Sequence, residues 1–369
     1  MENQSSSERS SRFIQTLWLT YAFSLIGFNN GILGPALLDL QFLVKVNLDT
    51  ISNLFIVSGV GFIIGTITAM VLKKYVDTEL FLGLSVLFGS VINIILPVVP
   101  VYAYVVIMTL LQGIFKGLID FCVLIMCNVI WKDNKSFAFQ FVCIGAGISS
   151  FIVPFIAKPF LSETHFKHST DSDMYTESFG DLLTEFGVIS DFHYTKSTMA
   201  IMTSMYWGSF VFGRIMNLIF SKYINLFVVL TVNLAGLLCA TTMLVLATVS
   251  RPILFWIGTV LIGLFSSSLL PTALVWSDKY VPVSGFTITT TLIASGMGEI
   301  VVPRIGGAVF DTEGPPSLMI MMLVAALFEI AFFIGLALVG NALVIKSPPS
   351  EDEQSKQIVK ENHNRFLQG

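Results

Sequence analysis

Lys116, Asp120, Arg214 and Glu299 are ionisable side chains that interrupt otherwise apolar stretches of this sequence. Lys116 and Asp120 are four residues apart, a spacing that puts both on one helix face. They read either as a self-neutralised pair that lowers the cost of burial, or as a carboxylate whose charge is released when a cation or proton binds. Glu299 ends the run Gly296-Met297-Gly298-Glu299, with Pro303 four residues on. A proline there leaves the carbonyl of residue 299 without its helical donor, and free carbonyls beside a carboxylate suit a hard cation such as sodium. The alternative is a kinked packing helix with Glu299 paired to a cation such as Arg214. Arg214 itself reads as structural, near a helix end from which a long side chain can snorkel.

Neutral amides supply a second chemistry. Asn29, Asn30, Gln112, Gln140, Asn217 and Asn233 lie in apolar surroundings and could bond sugar hydroxyls, although polar groups also hold membrane helices together. Trp207 and Trp276 could stack on the apolar face of a pyranose, or anchor a helix at the membrane interface. Nothing points to catalysis. His165, His168, His193 and His363 all fall outside the apolar runs, and no HExxH or Gly-x-Ser-x-Gly pattern occurs in one, so the chain reads as a non-enzyme.

The elements that position these groups follow from composition. Of 369 residues, 54% are hydrophobic and only 12% charged, against roughly 25% charged in a soluble domain. Such a chain cannot clothe its apolar surface for water and reads as an integral, all-α membrane protein. With 20 basic against 24 acidic residues and no basic face, nucleic-acid binding is excluded. Cys122, Cys127, Cys143 and Cys239 sit in apolar runs at no metal-ligand spacing and read as free thiols. Ten runs meet the roughly 20 residues a spanning helix needs, near 13–38, 50–72, 79–98, 101–131, 137–161, 198–220, 223–247, 252–277, 284–308 and 317–346. The first is too long for a signal-peptide core and reads as a retained anchor.

Short joining loops make consecutive helices antiparallel. With a cytosolic N-terminus, the inner side collects twelve basic residues, among them Arg12, Lys73, Lys135 and Lys279, against five outside. That bias puts both termini in the cytosol. The sequons at Asn3 and Asn134 then face inward and are expected to be unused. The expected organisation is a cytosolic tail 1–12, a five-helix half 13–161, an extracellular polar loop 162–196, a second five-helix half 197–346, and a cytosolic tail 347–369.

An internal repeat connects the two halves. Lys74-Tyr75-Val76-Asp77 matches Lys222-Tyr223-Ile224-Asn225 at an offset of 148; Leu111 to Phe115 matches Leu261 to Phe265 at 150; Gly147 to Pro154 matches Gly296 to Pro303 at 149. Shifting the first and last spans by this offset lands both on the polar stretch 162–197. The chain therefore reads as two six-helix units lacking the sixth helix of the first and the first helix of the second. Residues 162–196 hold Glu163, Asp171, Asp173, Glu177, Asp181, Glu185 and Asp191, too many acids to span. Residues 179–194 are apolar enough to lie at the interface or to be the remnant of a lost helix.

Two such repeats suggest the major facilitator superfamily. The runs GFNNGILGPALLDL from Gly27, Gly117-Leu118-Ile119-Asp120, TSMYWGSFVFGR from Thr203, PTALVWSDKY from Pro271 and ASGMGEIVVP from Ala294 resemble its sodium-dependent glucose transporter type, also called the domain-containing protein 4 group. The first span also resembles bacterial fucose permeases. The resemblance implies twelve helices in the family, so six and seven are missing here. It implies that the first and fourth helices of each half line a cavity, which favours Asn29, Asn30, Gln112, Lys116, Asp120 and Trp276. An acid at the place of Asp120 is tied in fucose permeases to proton coupling, whereas their other coupling acid falls at Gly31 here. The reading is a plasma-membrane carrier of a hexose or similar polyol, coupled to Na+ or H+ and without other cofactors. Asp120 and Glu299 are its coupling sites, and sugar and membrane lipid its partners. The rival is a chain that does not transport: an inactive isoform, an incomplete gene model or a binding subunit.

Overall fold

A computed structural model describes residues 2–46, 48–132, 134–157, 196–247, 252–314 and 316–346. The polar loop expected over 162–196 and the tail after 346 lie outside these residues, except for Lys196. Among the described residues the chain forms eleven α-helices. These are α1 (Glu2–Val44), α2 (Leu48–Leu72), α3 (Thr78–Ile95), α4 (Tyr102–Ile130), α5 (Lys135–Ala157), α6 (Lys196–Phe220), α7 (Leu226–Ala247), α8 (Pro252–Ser266), α9 (Leu269–Ser277), α10 (Gly285–Glu313) and α11 (Pro316–Lys346). Eight stretches among the described residues are long and apolar enough to cross a membrane, α8 and α9 counting as one. Helices α1 and α6 complete the ten expected spans and are more polar. The chain is an integral, multi-pass membrane protein.

Two boundaries differ from the apolar runs for identifiable reasons. The run 252–277 is two helices, because Pro271 has no N–H to give the carbonyl of Ser267 and its ring crowds that carbonyl. Ser267 turns its own hydroxyl back to the Leu264 carbonyl, 2.8 Å away. Helix α1 begins at Glu2 and has 43 residues, about 65 Å at 1.5 Å per residue, twice the hydrocarbon thickness of a bilayer. Helix α3 starts on Asp77, whose carboxylate accepts the Glu79 amide at 3.1 Å, an N-cap that satisfies an orphan donor.

The chain divides into a unit of residues 1–326 and a unit of residues 327–369. In the first, α2 packs on α4, α1 on α5, and both α6 and α7 on α8. The first five helices meet the later ones along α2 with α10 and α5 with α6. One buried cluster joins Phe121, Cys122 and Phe139 to Leu274, Ile288 and Leu292 across that boundary. A second, around Met202, Leu244 and Phe255, belongs to the later helices. The second unit contains the end of α11, with Phe328, Phe332, Leu336 and Leu338 exposed as a lipid-facing surface requires.

The α2–α4 crossing is made by glycine. Gly61 and Gly65 on α2 and Gly113 and Gly117 on α4 are each four apart, and a Cβ on Gly65 would collide with the Ile114 carbonyl, one on Gly117 with that of Phe62. Small residues at this spacing let membrane helices approach backbone to backbone. Gly117→Leu is expected to separate α2 from α4, destabilising the chain by about 3 kcal/mol or more. A thermal-unfolding midpoint equal to that of the unmodified chain would contradict this.

Candidate functional site

Helices α4 and α10 come from opposite sides of the boundary, and an ion pair joins them near mid-membrane. The Lys116 Nζ donates to both carboxylate oxygens of Glu299, at 3.1 and 3.3 Å. Phe62 of α2 lies beneath the ammonium, 5.3 Å from Nζ to the ring centroid. The side chain of Lys116 is 11% exposed and that of Glu299 31%, so the carboxylate faces the more open side. Sequence spacing matched Lys116 with Asp120, and its alternative matched Glu299 with Arg214. The carboxylate bound by Lys116 comes instead from a helix 183 residues away. Insertion scales put an ionised group at mid-membrane at about 2.5–3.5 kcal/mol, and pairing across the boundary offsets that for both.

Asp120, one turn along α4, forms no ion pair among the described residues. It lies within electrostatic reach of Lys116, Glu299 and Arg214 and keeps some accessible surface. Arg214 is half-buried. Its guanidinium carbon sits 4.6 Å from the Phe210 ring centroid, and its Nε and Nη1 are buried without a hydrogen-bond partner among the described residues. Lys116, Asp120, Glu299 and Arg214 thus converge from α4, α6 and α10 as two positive and two negative groups. Among the described residues no cluster of three or more His, Cys, Asp or Glu is arranged to hold a metal ion.

The amides and tryptophans do not join this group as one surface. Gln112 donates to Asn93 of α3 at 2.6 Å, Gln140 to Thr272 of α9 at 2.8 Å, and Asn233 to Asn217 at 3.1 Å. In each the amide ties helices together. Asn29 keeps a buried Oδ1 with no partner among the described residues, while Asn30 is exposed. Trp276 is buried against Tyr280, with ring centroids 5.3 Å apart. The Trp207 ring meets that of Phe210, the ring beneath Arg214, with centroids 5.3 Å apart.

A second ion pair across the boundary was not singled out from the sequence. It closes the membrane face that carries the α4–α5 and α9–α10 turns. Lys135, opening α5, donates to Asp278 at 2.7 Å, while the other oxygen of Asp278 accepts the Val283 amide at 2.7 Å. Asn128 of α4 donates to the Val283 carbonyl at 3.0 Å. Asp278 lies beside the Trp276 noted in PTALVWSDKY, and an acid following a spanning helix was the available signal. Burial pushes the Asp278 carboxyl up, but the Lys135 hydrogen bond, the Val283 amide and the Lys135 charge together hold it below the ordinary carboxylate range.

This backbone is similar to a structure of the proton:xylose symporter XylE bound to 6-bromo-6-deoxy-D-glucose, with a TM-score of 0.67 at 10% identity over 88% of this chain and 96% of that one. The chain has the fold of that structure, the major facilitator fold. No family model matches it. It is distantly related to major facilitator superfamily domain-containing protein 4A of Pongo abelii, at 25% identity over 45% of this chain and 32% of that protein. It is similar to sodium-dependent glucose transporter 1 of Danio rerio, at 25% over 46% of this chain and 30% of that protein. The human protein of that name aligns at 20% over 78% of this chain and 72% of its own. The chain spans about a third of the length of the first two relatives.

Two outcomes follow. Glu299→Gln leaves Lys116 without its carboxylate in a poorly solvated place and is expected to destabilise the chain by about 3–5 kcal/mol. The double change Lys116→Met with Glu299→Gln restores most of that, which thermal unfolding of the three variants would show. The Asp278 pKa is depressed in the fold, so its contribution holds above the ordinary aspartate value of about 3.9 and is lost as pH falls through the depressed value. The stability gap between the unmodified chain and Asp278→Asn should close in acid; a gap independent of pH would refute the assignment.

Proposed function

We propose that this protein carries a hexose or similar small polar solute across the plasma membrane by alternating access, coupled to Na+ or H+, with both termini in the cytosol. The observation that carries the reading is the ion pair Lys116–Glu299 across the boundary, with Asp120, which has no ion-pair partner among the described residues, one turn away. A cation or proton reaching Asp120 removes the second negative charge near Lys116, strengthens the hold of Glu299 on that ammonium and so biases how the halves meet. Glu299 is the second coupling carboxylate, reached when Lys116 releases it. The names of the relatives support the substrate class, and the basic residues of the Lys135–Asp278 face support the orientation.

A second reading is favoured by the repeat. At an offset near 149, two helices fall on the acid-rich stretch 162–197, and one of them would line the cavity of the second half. A chain without them would be an inactive isoform or a non-transporting binding subunit. Uptake of labelled glucose into vesicles separates the two. The transporter reading expects sodium- or proton-dependent uptake above empty vesicles and complete loss of cation dependence in Asp120→Asn. Uptake equal to empty vesicles supports the second reading, and unchanged cation dependence in Asp120→Asn removes that residue from the site.

A further inference from the structure

The donors left unmet in the site describe a ligand. Arg214 is held in place by its stacking on Phe210, and Gly213 beside it packs against Leu264 and Ser267. Its Nε and Nη1 are buried with no acceptor among the described residues. A buried donor without a partner is destabilising, and more so when charged. Asp120 tempers the charge from a distance but accepts no hydrogen bond from it. The missing group is therefore an acceptor, and a negative planar one satisfies both the charge and the donor geometry of a guanidinium. Trp207, Phe210 and Arg214 lie at i, i+3 and i+7 on α6 and share a face. Two rings beside a guanidinium offer a ligand an apolar side and an anionic end.

We infer that Arg214 recognises a carboxylate on the transported solute, so that the site takes an acidic polyol of the hexuronate class in preference to a neutral hexose. The inference rests on the transporter reading and refines its substrate. It also supplies a physical reason for coupling. The four charges sum to zero, so a carboxylate entering alone would leave a net negative charge in a poorly solvated space. A cation on Asp120 restores neutrality, and the two ligands enter as a neutral set.

The test uses the purified full chain in detergent, with thermal stabilisation titrated by sodium glucuronate, by glucose and by sodium sulfate at matched sodium concentration. The expected result is half-maximal stabilisation at about tenfold lower glucuronate than glucose, the least that one charge-assisted hydrogen bond contributes. Arg214→Gln should remove this preference and Arg214→Lys, which keeps the charge and loses the planar donors, should reduce it. Asp120→Asn, which stops competing for the guanidinium, should lower the glucuronate concentration required. Equal responses to glucuronate and glucose in the unmodified chain overturn the inference while leaving a hexose carrier standing. A glucose response lost while the glucuronate response persists sinks the neutral-hexose reading alone. A sulfate response as large as that to glucuronate overturns it in favour of an inorganic-anion site, as does an unchanged preference in Arg214→Lys.

Discussion

Charge neutrality in a medium that cannot solvate charge is the constraint around which this molecule is arranged. Lys116, Asp120, Arg214 and Glu299 are half-buried on membrane-spanning helices, and the nearness of opposite charges lowers the cost of each. None of the helices carrying them is self-sufficient: α4 contributes one charge of each sign, α6 a cation and α10 an anion. Movement of one helix relative to another therefore changes an electrostatic sum, and any ligand that alters the sum alters which arrangement is preferred. This is a population shift driven by differential interaction, which is the form any ligand-driven change must take.

Around this centre the packing is divided between stiff and yielding parts. The glycine-lined crossing of α2 and α4 has no side chain between backbones, so α4 and its two charges are carried by a two-helix body. On the other side, α6 is fixed to α7 by the Asn217–Asn233 bond and to α8 through Gly213 and Leu264. The boundary itself carries both ion pairs and two amide bonds, contacts that another partner can replace. Such bonds reform easily, unlike the interlocked side chains of a close-packed core.

The spans were legible because a bilayer imposes a length and a composition, and α2, α3, α4 and α5 lie within a few residues of the apolar runs. The break between α8 and α9 was not read, because three serines in an apolar run barely lower its hydropathy, although Pro271 was in plain view. Within the site, helical periodicity placed Lys116 beside Asp120 but could not reveal a partner on α10, since no local spacing encodes a contact between residues 183 apart. The amides show the opposite limit: their types suggested sugar binding, and the structure bonds Gln112, Gln140 and Asn233 to other side chains. Arg214 was read as structural; only tertiary packing shows that its Nε and Nη1 are buried beside the Phe210 ring.

The Asp278 carboxylate holds two partners at once, one on its own turn and one on α5. Losing the Val283 amide frees that turn to move, which draws the carboxylate from Lys135; losing Lys135 removes the charge that steadies it for the amide. Asn128 adds a third tie to the same turn. Three bonds that share one short segment do not loosen one by one. Loss of any one of them is therefore expected to loosen the α9–α10 turn, α4 and the start of α5 as a unit.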